Sequence, residues 1–191
     1  MQGAYMLISK FIAHDMEAET AAFEAQYGIT LPEQYRRFLL KYNGGDTPKT
    51  KFRSEQGSFD IRAFYGIGVP HFSLTEIRDP ERFLKRNLLP VACDFSGNHF
   101  AVVLSGRDAG KICFLDHEKG YRQTLLADSL KAFAEACESQ EIGHIRTIEE
   151  RRAQRIAASG ISEIPDAVIA AWQAEIDRFG RMHQEPVVIE S

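Results

Sequence analysis

Between Cys93 and Glu118 the chain reads CDFSGNHFAVVLSGRDAGKICFLDHE, and the residue types that do chemistry crowd there: Asp94, His99, Asp116, His117 and Glu118. Carboxylates and imidazoles are the ligands of divalent metals and the acids and bases of hydrolysis. Folding could bring Asp94, His99 and Asp116 together as a mixed metal site or a small hydrolase centre. Spacing argues against it. Neighbouring side chains on a strand alternate faces, so Asp116 and Glu118 project to one side and His117 to the other. The i, i+4 histidine pair of a helical zinc site is absent, and Ser96 has no GxSxG elbow around it. SGRDAGK resembles a phosphate loop only superficially: Lys111 is followed by Ile112 and a strand, not by Ser or Thr and a helix. The preferred reading is structural. Asp94 and Gly97-Asn98 make a turn, and Asp116–Glu118 ends the next strand in water. No catalytic residue, metal or cofactor is expected.

The elements that must position these residues follow from periodicity. DMEAETAAFEAQYG (Asp15–Gly28) predicts a helix with acids in its early turns and Gly28 as its stop; Phe23 and Tyr27 share a face. In ITLPEQYRRFLLKYNGG, Pro32 fits the first turn and Glu33 the positive end. Tyr35, Phe38, Leu39 and Tyr42 form an i, i+3, i+4, i+7 stripe, and Asn43-Gly44-Gly45 tolerates the positive φ of a sharp stop. The stretch from Asp46 to Gly57 is polar and reads as turns. Phe59, Ile61 and Ala63 then alternate with Asp60 and Arg62 as in a strand. Ser73–Asn87 predicts one or two short helices interrupted by Pro80. LLPVACDF, HFAVVL and KICFLD are strands, the last two an antiparallel hairpin. HFAVVL is apolar on both faces, which makes it central. YRQTLLADSLKAFAEACES reads as a helix with Asp128 as N-cap and Cys137 on its apolar face. The expected fold class is α+β, a mixed or mainly antiparallel sheet flanked by helices, with a C-terminal helical extension.

Composition sets the outer bounds. The 191 residues are 44% hydrophobic and include 13 Phe, enough to fill a core, and the 26% charged content argues against general disorder. A net charge of −4 argues against broad nucleic-acid binding and suits a basic partner. Cys93, Cys113 and Cys137 show no CxxC pairing and fit reduced, buried thiols. Lys10 interrupts the N-terminal apolar stretch, so no signal peptide or membrane span is expected and the localisation is read as cytoplasmic.

The division expected is an α+β domain over 1–140 and a helical extension over 141–191. Thr147 and Glu150 have capping-box spacing. Ile164, Val168, Ile169, Trp172, Ile176 and Phe179 lie along one broad helical stripe, which needs the domain, a partner or a second copy to cover it. The tail RMHQEPVVIES reads as loose.

Four ordered motifs carry a family resemblance: LPEQYRRFLLKYNGG, LLPVACDFSGNHFAVVL, KICFLDHE and LADSLKAF. The chain resembles the SUKH superfamily over roughly Ala18–Ser139, with Leu130 standing where Phe is common. The resemblance implies an α+β fold and a non-enzymatic, protein-binding role. Many bacterial members are immunity proteins that neutralise toxins, often nucleases, and fungal Smi/Knr-type members serve cell-wall regulation. Leu31, Pro32, Asn43, Gly44, Gly45, Asp94, Gly97, Asn98, Asp116, His117 and Glu118 transfer as scaffold. Nothing is implied for the segment after Ser139. The function expected is therefore toxin neutralisation by binding, with Asp60, Phe64, Tyr65, Asp94, Asp116 and Glu118 as partner contacts. The alternative is a regulatory or scaffolding module that docks or homodimerises through Ile164, Val168, Trp172, Ile176 and Phe179.

Overall fold

The computed structural model describes residues 5–11, 15–160 and 162–190; parts of the N-terminal stretch read for a signal peptide lie outside them. In chain order the elements are β1 (Leu7–Lys10), α1 (Met16–Tyr27), α2 (Glu33–Tyr42), β2 (Gly45–Ser54), β3 (Gly57–Phe64), a 3-10 turn (Leu74–Glu76) and α3 (Pro80–Leu84). Then follow β4 (Leu88–Cys93), β5 (His99–Val103), β6 (Ile112–Asp116), β7 (Arg122–Ala127), α4 (Leu130–Glu135), β8 (Cys137–Ser139), α5 (Ile148–Ser159), α6 (Asp166–Gly180) and β9 (Glu185–Pro186). The fold is α+β, and the strand pairs are antiparallel, in the order β7-β6-β5-β4-β3-β2-β1-β9. The short β8 pairs with β2 beyond the point where β1 leaves it.

The helix-stop chemistry acts as its residue types dictate. Asp15 caps α1 by accepting from the Ala18 amide, and Gly28 ends it in a left-handed conformation. The four aromatic and aliphatic residues of the α2 stripe are all buried. They meet the sheet in a layer of rings. Phe38 lies 5.0 Å from Phe64, and Phe133 of α4 stacks on Phe52 at 4.7 Å and meets Phe100 at 5.5 Å. Phe114 extends the layer to Phe100 and Phe59. β5 is buried from Phe100 to Val103, as its two apolar faces predict.

Five local readings change. Asp46–Ser54 is a strand, not a string of turns: Thr50 and Phe52 face inward while Lys51 and Arg53 face water. Its register shifts between Asp46 and Thr50, where Pro48 stands, so the missing N–H falls at an irregularity. Arg122–Ala127 is the edge strand β7. The α4 N-cap is Ser129, whose side chain accepts from the Ala132 amide at 3.0 Å, while Asp128 turns toward Lys111. Cys137 leaves the helix and pairs with Phe52 in β8. Finally, the tail contributes β9, and Val187 donates its N–H to Met6 O at 2.8 Å.

The chain forms two compact units, residues 1–140 with 184–191, and residues 141–183. The second contains α5 and α6. Its capping box forms as the spacing predicts, and Arg151 donates to both oxygens of Glu175 at 3.0 and 3.2 Å. None of its described residues is buried. Among the described residues no helix is long and apolar enough to cross a membrane.

Candidate protein-binding surface

Two polar locks hold the turns of the first unit. In the first, α2 ends at Asn43 in a left-handed conformation. The buried Asn43 side chain donates to Ile67 O at 2.9 Å and accepts from Ile67 N–H at 2.8 Å, as a strand neighbour would. Gly44 and Gly45 follow because nothing larger fits. A Cβ on Gly44 would sit 2.6 Å from the Tyr65 carbonyl, and one on Gly45 would sit 2.5 Å from Ser9 O. Leu31 is buried at the start of this segment, and Pro32 is the residue from which α2 begins.

The second lock contains the residues that first suggested a reaction centre. Asp94 accepts from the Ser96 and Asn98 amides at 2.8 and 2.9 Å, closing the turn after β4, and Gly97 has positive φ within it. Asn98 donates to Asp94 Oδ2 at 2.6 Å, and its Oδ1 accepts from the His117 amide at 2.9 Å. The His117 ring approaches the same oxygen through Nδ1 at 2.9 Å. Asn98 thus ties the β4–β5 turn to the β6–β7 turn. Asp116 is engaged by Lys119, through the backbone N–H and the ammonium, which holds its carboxyl below the usual range. Glu118 is exposed beside it. Asn98→Ala is expected to cost about 1–2 kcal/mol, because both the Asp94 carboxylate and the His117 amide lose a partner. Urea unfolding measures it.

His99 belongs to a different set of contacts. Its Nδ1 lies 2.9 Å from the Tyr65 hydroxyl, its ring stacks on Tyr121 at 5.7 Å, and Phe83 meets it edge-on. Burial lowers its pKa from the ordinary 6.5, with Asp94 opposing and His117 reinforcing the shift. The sign follows directly. Between the lowered native value and 6.5, the unfolded chain binds a proton that the native chain does not, so stability falls as pH drops through that window. His99→Gln is expected to flatten this acid-side slope in unfolding curves recorded between pH about 7 and about 5.

The expected contact residues separate on inspection. Phe64 is 0% exposed and packs against Phe38; Tyr65 is 8% exposed and bound to His99. Both are corrected from surface anchors to core, because the Asn43 lock draws the end of β3 inward. Asp60 is on β3, paired with exposed Lys51 at 3.6 Å. Asp94, Asn98 and His117 come together, with Asp116 and Glu118 on the adjoining turn. Sequence reasoning missed Phe95. It is 64% exposed at the tip of the Asp94–Asn98 turn, and a large aromatic inside a turn motif was the available signal. Cys93, Cys113 and Cys137 are free and buried, and burial raises each thiol pKa. Among the described residues no group of three or more His, Cys, Asp or Glu is placed to hold a metal ion.

An antiparallel sheet under a layer of phenylalanines, with the polar side chains of its turns spent on fixing those turns, defines an α+β scaffold. Residues 16–136 match the model of the SMI1 / KNR4 family (SUKH-1), and the chain belongs to that family. No curated protein and no solved structure matches it.

Proposed function

We propose that the chain is a non-catalytic immunity protein of the bacterial cytoplasm that binds a toxin domain, of nuclease type, and blocks its active site. The observation that carries this reading is membership of the SMI1/KNR4 family over residues 16–136, a family that includes toxin immunity proteins. The site geometry supports it: Asp94 and Asn98 are committed to holding a turn, and Asp116 to Lys119. Exposed Asp60 and Glu118, with Asp94 and Asp116 at the turns, add to the net charge of −4 in complementing a basic enzyme. The partner is a protein, with no nucleic acid or membrane role. The test is co-expression with the toxin encoded by the neighbouring gene. A stable complex and protection of toxin-producing cells are expected; neither appearing would sink the reading.

A second reading concerns the helical unit. Ile164, Val168, Trp172, Ile176 and Phe179 are partly rather than fully buried, and no described residue of 141–183 is buried. That apolar stripe suits docking or homodimerisation in a regulatory or scaffolding module. Deleting residues 161–191 would also remove β9, so Trp172→Glu with Ile176→Glu is the cleaner probe. Light scattering should report a lower mass for the variant; an unchanged mass counts against this reading.

A further inference from the structure

Arg62 is a cation of the first unit set between two aromatic rings. Arg36, Arg37, Arg53, Lys51, Lys111 and Lys119 each have a carboxylate within reach. Arg62 instead has its guanidinium over two rings, 4.9 Å from the centroid of Phe72 and 5.6 Å from that of Phe95. Its Nε is buried without a hydrogen-bond partner. Aromatic faces hold a guanidinium through its π surface and leave its in-plane N–H donors unspent. A buried donor left unpaired is costly, which marks the guanidinium as held by the two rings rather than by hydrogen bonds.

Both polar locks converge on this residue. Phe72 has positive φ, and its carbonyl accepts from the Gly66 amide at 2.9 Å, against the Asn43-Gly44 corner. Phe95 is at the tip of the turn that Asp94 and Asn98 close. The two motifs thus brace the two rings that flank one charge. Phe95, largely exposed, offers an apolar rim beside it.

We propose that Arg62, between Phe72 and Phe95, is a receptor for an acidic side chain, Asp or Glu, on the protein partner. The carboxylate receives in-plane donors of the guanidinium while Phe95 packs against its apolar stem. A cationic point held beside acidic ones, on a chain of net charge −4, fixes the register of a partner whose overall attraction is to those acids. The inference rests on the protein-binding reading above and names a contact within it.

The test uses the full chain, ¹⁵N-labelled, titrated with the capped peptide Gly-Glu-Glu-Gly, with its Gly-Gln-Gln-Gly counterpart, and with acetate. The Glu peptide should shift the Arg62 Nε–H and the Phe95 and Ser96 amides saturably, with a midpoint on the order of millimolar. The Gln peptide and acetate should each bind at least about tenfold more weakly. Phe95→Ala, at an exposed position, should weaken the Glu peptide about fivefold, and Arg62→Lys similarly, because an ammonium lacks the planar fork. Equal response to Glu and Gln peptides, acetate binding as tightly as the peptide, or unchanged affinity in both variants overturns the assignment. No toxin enters this titration, so its outcome is separate from that of the co-expression test.

Discussion

Gly44→Ala is expected to destabilise the protein by about 3–5 kcal/mol, enough to leave much of it unfolded. The new methyl would sit 2.6 Å from the Tyr65 carbonyl carbon and oxygen and 2.7 Å from the Gly66 nitrogen. These are backbone atoms that cannot turn aside as a flexible side chain could. Gly44 also has φ of 75°, where an L side chain adds strain of about 1–2 kcal/mol. Relief would require separating α2 from the segment after β3, which breaks the paired Asn43–Ile67 hydrogen bonds. Gly66→Ala should behave alike, its Cβ falling 2.2 Å from Asn43 O. Gly120→Ala is the control: it shares a positive φ but has open space around it, so only the conformational cost of about 1–2 kcal/mol remains. Urea midpoints and m-values measure all three. A cost below about 1 kcal/mol for Gly44→Ala would show that the corner can open.

Phe133→Ala should be the most damaging side-chain truncation tested, at about 3–5 kcal/mol. Phe133 is fully buried, stacks on Phe52, and meets Phe64 and Phe100. It joins rings from β2, β3 and β5, so its removal leaves a cavity bordered by three strands that are themselves hydrogen-bonded and cannot collapse inward. α4 has six residues and too few internal hydrogen bonds to persist without that anchor. Phe133→Leu should cost under half as much, since it keeps most of the volume. Thermal unfolding of both variants, together with the Phe100→Ala double mutant, measures the loss and its coupling. Near-additive losses in the pair would count against a shared ring layer.

The legible parts of the fold were those with local causes. Helix α2 follows from an apolar period near 3.6, a proline at its start and an Asn-Gly-Gly stop, all within one segment. The α5 capping box needs only Thr147 and Glu150. β2 was hard to read because, besides its hairpin partner β3, it pairs with strands distant in sequence. Thr50, Lys51 and Phe52 pair with residues 137–139, and polar residues such as Thr47 and Thr50 are buried because Ile61 O and Ser139 Oγ satisfy them. β7 and the start of α4 share leucine and alanine that suit either state, and the edge position on β6 decided between them.

The candidate site divides in the same way. That Asp94, Gly97 and Asn98 form a turn is written in residue types, because Asp and Asn bond their own nearby amides and Gly accepts positive φ. That Asn98 also reaches His117, nineteen residues on, needs β5 and β6 to lie side by side. Alternation along the strand separated the acids from His117 in sequence; in the folded protein the strand ends at Asp116 and Asn98 gathers the turn. Burial was the least legible property. Phe64 and Tyr65 read as partner contacts, yet they are core because Gly44 and Gly66 let two backbones touch. Phe95, one residue inside a polar turn, is exposed, and Arg62 lies beside it without a carboxylate.

By itself the sequence determined what is local: where helices start and stop, which turns accept positive φ, and which runs are apolar enough to seek a core. Tertiary structure alone decided which aromatic rings are inside, which polar side chains bridge separate turns, and which cation is left between two rings. The reason is range: caps and turns are satisfied within a few residues, whereas burial and long-range pairing depend on which distant strands the backbone brings together.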